Sequence, residues 1–279
     1  MSIVPVYSVA KTYTAIAAVR SLDLESALGR LVPGLPPALA DLTLRSLLQH
    51  RSGLEDYGGW PEYRAAVEAR DDPWPAGAVL ERAGVGRPGT FRYSNVGYLL
   101  VRRALEEHHG ARLFDVLARL VLDPLGIAAA PFDERADWDR CDHPAIDADL
   151  RAYHPGWVYP GTFAAEPQEA ARGLALVLRG ALGADVADAL RRSVPVDVPA
   201  SHPLSPGAGY GLGVMTSGEP ATVLGHGGGG PGFALFVASD ATGTRWCGEA
   251  VAGTDPEEAV VARCVAAVRP GAGATAGRP

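Results

Sequence analysis

The chain has 279 residues, 47% of them hydrophobic, and a formal net charge of −7 with no basic run. That length suits one large domain or two interleaved subdomains with a sizeable core, and the acidic balance argues against nucleic acid as a partner. No run of about 18 uninterrupted apolar residues occurs, so no membrane span is expected, and residues 1–7, MSIVPVY, lack the charged and apolar regions of a signal peptide, which reads as cytoplasmic.

Residues 8–20, SVAKTYTAIAAVR, are Ala-rich and apolar on nearly every side, the pattern of a helix buried in the middle of a protein. Leu44–His50 reads as a second helix with Thr43 as cap and Gly53 just past its end. Residues 55–89 are rich in Pro, Gly and Trp and read mostly as loop. Asn95 is placed to cap a helix over Val96–His109, closed by Gly110. A short helix near Leu113–Leu122 follows, then a loop-like stretch over 131–165 with a solvated acidic run from Asp133 to Asp149. Glu166–Arg179 and Ala184–Arg192 read as helices.

After Gly207 the pattern changes. Ala221–Leu224, Phe233–Ala238 and Thr244–Val251 are short, β-branched or aromatic, and separated by Gly-rich turns, as in antiparallel strands. Thr254, Asp255, Pro256 and Glu257 supply the cap, first-turn proline and early acids of a final helix. The reading is a single domain over 1–268, with a sheet side (1–40 and 207–268) and a helical side (41–206). The tail over 269–279 is expected to be disordered. The three cysteines, Cys141, Cys247 and Cys264, are odd in number and widely spaced, and fit reduced thiols better than a disulfide framework or zinc site.

Lys11 is the only lysine; every other position of that kind is arginine. Arginine cannot lose its proton in a protein and lysine can, so the lone amine three residues after Ser8 points to a base rather than a cation. Ser8 and Lys11 share a face at the first turn of a helix, where the helix dipole disfavours ammonium and favours an anion. Both effects suit attack of a serine on a carbonyl. Tyr93 and Asn95, at i and i+2 before a helix, can both face a cleft, although a buried Tyr and an ordinary helix cap would give the same letters. His226 is followed by four glycines, so a substrate could approach the backbone and a bare N–H could face an oxyanion; a flexible hairpin turn is the alternative.

The order Ser-x-x-Lys, Tyr-x-Asn and then a basic residue-x-Gly on a strand follows the logic of β-lactamase and penicillin-binding motifs. The chain resembles the serine hydrolases of the class C β-lactamase, D,D-peptidase and esterase superfamily. The segments Val6–Thr12, Leu47–Leu54, Phe91–Tyr98, Asp123–Gly126 and Gly225–Gly228 look like its signature stretches in its order, and cover most of the chain from Val6 to Val268. The resemblance implies an α+β fold, a β-lactamase/transpeptidase-like antiparallel sheet packed with the N-terminal nucleophile helix and the C-terminal helix. It implies that Ser8 is acylated by an ester, amide or peptide carbonyl, with Lys11 and Tyr93 exchanging the proton as a pair. The N–H groups of Ser8 and Gly229 would form the oxyanion hole beside Gly228, Asn95 would hold substrate and Lys11, and no metal or organic cofactor would be needed.

Two departures carry weight. His226 stands where β-lactamases have lysine and supplies less charge for a substrate carboxylate, which shifts the expectation toward an esterase or D-amino-acid-type peptidase. Relatives also carry a helix and two strands before the serine, whereas here the serine is Ser8. With three good strands read from the chain, the sheet would have an unprotected edge, which a longer start or a second copy of the chain would cover. An α/β-hydrolase reading of His-Gly-Gly-Gly fails for want of a Gly-x-Ser-x-Gly elbow. A catalytically dead binding or sensor protein on this scaffold, and an acyltransferase of small-molecule biosynthesis, remain as alternatives.

Overall fold

The computed structural model describes residues 2–253 and 257–269. In chain order its strands are β1 (Val4–Pro5), β2 (Ala129–Pro131), β3 (Phe163–Ala165), β4 (Val194–Pro195), β5 (Gly209–Tyr210), β6 (Met215–Ser217), β7 (Val223–Gly230), β8 (Phe233–Asp240) and β9 (Trp246–Ala252). The helices are α1 (Ala10–Ser21), α2 (Pro37–Ala40), α3 (Leu44–Leu48), α4 (Pro61–Glu68), α5 (Ala76–Arg82), α6 (Asn95–His109), α7 (Leu113–Leu117), α8 (Ala148–Ala152), α9 (Pro167–Leu178), α10 (Ala184–Arg191) and α11 (Glu257–Val268).

The main sheet is antiparallel and has six strands in the order β4-β5-β6-β7-β8-β9. The expected three-stranded sheet is therefore too small. The three strands read from the sequence form one half of it, and β4, β5 and β6 are two or three residues long, too short to leave a periodic signature. Pro231 and Gly232, with Gly232 at φ +65°, join β7 to β8 in register Gly230 to Phe233, the tight turn that Pro-Gly favours. Every residue of β8 is buried, because both faces of the sheet are covered. Ala234, Phe236 and Ala238 meet Val260, Cys264 and Val265 of α11, while Leu235 and Val237 belong to the large core on the other side. That alternation is the period of two of a strand, and each buried Val, Leu or Phe among them contributes roughly 1.5–3 kcal/mol.

A second, three-stranded sheet in the order β1-β3-β2 was not foreseen. Its strands are made of Val, Pro, Ala and Phe, so only the pairing itself, Val4 with Ala165 and Ala129 with Ala165, identifies them. The 55–89 stretch is less of a loop than expected, since α4 and α5 lie within it, both started by proline at or just before the first turn. Short helical turns also interrupt 131–165. The capping residues Thr254–Pro256 and the tail from 270 onward lie outside the described residues.

Helix α1 runs through the centre, with Ala10 to Ala18 all buried. It is seated by Thr12 Oγ1, which donates to the Gly213 carbonyl at 2.6 Å, and by Tyr13, whose hydroxyl donates to the Ala170 carbonyl of α9 at 2.6 Å. The 3₁₀ turn just before it, Tyr7–Val9, lies against β7. A Cβ at Gly228 would fall 2.6 Å from the Val6 carbonyl and 3.2 Å from the Tyr7 Cβ, so that approach requires glycine.

Candidate active site

Tyr7 has φ +43°, a left-handed conformation that costs a non-glycine residue about 1–2 kcal/mol. The turn it makes places Ser8 at the mouth of α1, and Ser8 Oγ is the hub of the site. Lys11 Nζ lies 2.8 Å from it, and the Tyr93 hydroxyl donates to it at 2.9 Å. Three residues of the sequence reading, 85 positions apart at the extreme, thus meet on one oxygen. Lys11 is buried, and its amine sits 5.1 Å from the Tyr93 ring centre and 5.5 Å from that of Tyr98. Burial draws its pKa down to about 7, against the opposing pull of the Asp56 carboxylate. Burial pushes the Tyr93 phenol up, although its bond to Ser8 acts the other way.

The Tyr93 loop is held by two features absent from the sequence reading. Ser94, rather than Asn95, caps α6, its hydroxyl accepting from the Gly97 N–H, and Asn95 is the helix's first residue. The local letters allow either cap, and the fold selects Ser94, whose hydroxyl also donates to the Glu55 carbonyl at 2.6 Å. His50, at φ +53° and buried, accepts the Ser94 N–H on Nδ1 at 3.1 Å and stacks on Tyr93 with ring centres 4.3 Å apart. Its pKa is pushed down by burial and by the positive charge of Lys11. Asn95 turns to Asp56, which accepts its backbone N–H at 2.9 Å and its side-chain amide at 3.4 Å. Asp56 thereby holds the start of α6 while sending its field toward Lys11. An acid followed by an aromatic in a Gly-flanked loop is too common to have marked it.

The alternative of a flexible hairpin turn at His226 does not hold: the four glycines form the second half of β7, and β6 stops pairing at Gly225, which leaves this stretch facing the Tyr7–Val9 turn. His226 itself is fully buried. Its Nδ1 is 2.6 Å from the Gly227 carbonyl, which only accepts, so Nδ1 carries the proton; Nε2 then accepts from the Tyr210 hydroxyl at 2.9 Å. Burial drives its pKa down to about 3. It is a neutral brace of β7 and offers no charge to a ligand. Ser8, Tyr93, Gly228, Gly229 and Phe233 border an open cleft of about 490 Å³, with Met215 and Glu257 on its walls. Among the described residues no cluster of His, Cys, Asp and Glu could hold a metal ion, and no helix is long and apolar enough to cross a membrane.

Known proteins share the fold that carries this site. A family model described as Beta-lactamase matches residues 2–258. Penicillin-binding protein 4* of Bacillus subtilis (strain 168) is 28% identical over 164 residues, which are 54% of this chain and 34% of that protein. The match thus spans about a third of that relative's length. Among solved structures, a D-stereospecific amidohydrolase from Streptomyces sp. superposes with a TM-score of 0.76 at 22% identity, over 90% of this chain and 82% of the other. An octameric penicillin-binding protein homologue from Pyrococcus abyssi gives 0.73 at 19% identity, over 94% and 64%. The D-amino acid amidase of Ochrobactrum anthropi SV3, complexed with L-phenylalanine amide, gives 0.69 at 21% identity, over 86% and 73%.

Proposed function

This chain belongs to the beta-lactamase family, and on that premise we propose that it is a serine hydrolase forming an acyl-enzyme on Ser8 with small amide, ester or peptide substrates, an amidase or peptidase more than a dedicated β-lactamase. The observation that carries the reading is the convergence of Lys11 Nζ and the Tyr93 hydroxyl on Ser8 Oγ at 2.8 and 2.9 Å. A lysine drawn to about 7 is neutral in a large fraction of molecules at neutral pH, and in that form the same short contact lets its nitrogen take the Ser8 proton. Ser8 Oγ then bonds to the substrate carbonyl carbon. The N–H groups of Ser8 and Gly229 receive the oxyanion. Tyr93, held protonated by burial, relays a proton to the departing amine or alkoxide. Water repeats the sequence to release the acid; another alcohol or amine in its place would make the same machinery an acyltransferase.

The leaning away from β-lactams rests on His226. A buried neutral imidazole bonded on both nitrogens cannot anchor a substrate carboxylate as an ammonium would. The D-amino acid amidase and D-stereospecific amidohydrolase likenesses support amide substrates on the same scaffold. The outer side of β9 is where a second copy would add to the sheet; there Gln168 accepts the Gly248 N–H at 3.2 Å. A fluorophosphonate probe tests the central proposal: it should label the wild-type protein on Ser8 and leave Ser8→Ala unlabelled. Equal labelling of both, or of neither, would turn the reading toward a binding protein.

A further inference from the structure

The charges around the cleft are unusual for a site that binds an anion. No arginine, lysine or aspartate borders it among the described residues, and the one side chain with a formal charge on its wall is Glu257, the first residue of α11. Glu257 is exposed to solvent, so its carboxylate is available to a ligand. Its position is defined by β7: a Cβ added at Gly227 would stand 3.5 Å from Glu257 Oε1. Residue 227 therefore leaves open the space between the carboxylate and the strand. Gly227 is two residues before Gly229, or about 7 Å along an extended strand, so a group bound there lies about two substrate residues from the scissile carbonyl. His226, which also borders the cleft, is bonded on both ring nitrogens, and among the described residues no other side chain on this wall offsets the carboxylate.

Building on the hydrolase reading above, we infer that Glu257 selects substrates carrying a cationic amine near the scissile carbonyl and disfavours those carrying a carboxylate. A cation at the Gly227 opening pairs by charge with the Glu257 carboxylate, and one that carries an N–H adds a charge-assisted hydrogen bond, whereas a carboxylate there meets like charge with no donor to receive it.

Two substrate series test this and show which side of the carbonyl carries the amine. In the first, the acyl group varies: D-alanyl-D-alanine p-nitroanilide (amine), its N-acetyl form (neutral) and its N-succinyl form (carboxylate). In the second, the leaving group varies: acetylthiocholine against the uncharged S-butyl thioacetate. Each is measured at pH 6.5 with the wild type, Ser8→Ala, Glu257→Gln and Glu257→Lys, and fluorophosphonate labelling confirms that each variant other than Ser8→Ala keeps a formed site. The expected result is a cation-to-neutral ratio of kcat/KM that falls by about fivefold in Glu257→Gln, the scale of a single partly exposed ion pair, and falls further in Glu257→Lys, with the succinyl compound rising. Ser8-dependent turnover whose ratios stay the same in both Glu257 variants and in both series overturns the inference and leaves the hydrolase reading standing. Turnover independent of Ser8, or none, removes both.

Discussion

Lys11 shows how one residue's environment sets its chemistry. The amine is buried beside two aromatic rings and bonded to a serine, and the loss of water around it, more than any neighbour, makes the neutral form accessible near pH 7. Arginine in its place keeps the charge and loses the lone pair, so Lys11→Arg should abolish acylation by the fluorophosphonate probe or by a p-nitrophenyl ester; turnover retained in that variant would remove Lys11 as the base. In the wild type, the acylation rate should fall about tenfold per pH unit below about 7, because the base must be unprotonated to act. Tyr93→Phe keeps the ring that packs on His50 and removes the hydroxyl bonded to Ser8. Acylation should slow by about 10²–10⁴-fold, the usual size of general acid–base assistance. A stopped-flow burst unchanged in rate would exclude the phenol from proton transfer.

At the level of elements, the site depends on β7 lying close to the Tyr7–Val9 turn. Gly228 makes this contact with backbone on its open side, where a methyl group would fall 2.6 Å from the Val6 carbonyl. Gly228→Ala therefore has to move either the strand or the nucleophile turn. The expected cost is about 1–3 kcal/mol of stability, as for other overpacked positions, together with a loss of Ser8 labelling greater than the loss of folded protein. Calorimetry and probe labelling on the same sample separate the two, and a variant with wild-type labelling would show that the approach is not what positions Ser8. The opposite end of the sheet is joined to α11 by Cys247 and Cys264, free thiols with their sulfurs 3.3 Å apart, and by the Glu249–Arg263 ion pair. Two cysteines 17 residues apart in sequence are thus neighbours in the fold.

For the whole molecule, the buried histidines couple folding to pH. The folded pKa of His226, about 3, lies below its ordinary 6.5. Between those values the unfolded chain binds a proton that the folded chain refuses, so stability falls as pH falls through that window. His50 shifts in the same direction. The expected slope from His226 alone is about 1.4 kcal/mol for each pH unit, read as a shrinking urea midpoint from pH 6.5 downward. His226→Gln, which cannot titrate, should show a shallower slope; equal slopes would mean that the imidazole is not held neutral in the folded protein.

The sequence by itself determined the local chemistry. Ser8 and Lys11 lie one helical turn apart, Tyr93 sits two residues before a helix that Gly110 closes at φ +60°, and the glycines follow His226 directly, so the residues of each motif are contained in one short stretch, although the letters left open which residue caps α6 and whether the glycines make a strand or a turn. Only the tertiary structure decided what those motifs meet. Asp56 behind Asn95, His50 beneath Tyr93, Tyr210 on His226 and Glu257 across from Gly227 all come from distant parts of the chain, and an isolated acid or ring carries no periodic signal. The six-stranded sheet and the β1-β3-β2 sheet follow the same reason: strands of two or three residues are defined by their hydrogen-bonded partners, and partners exist only once the chain has folded.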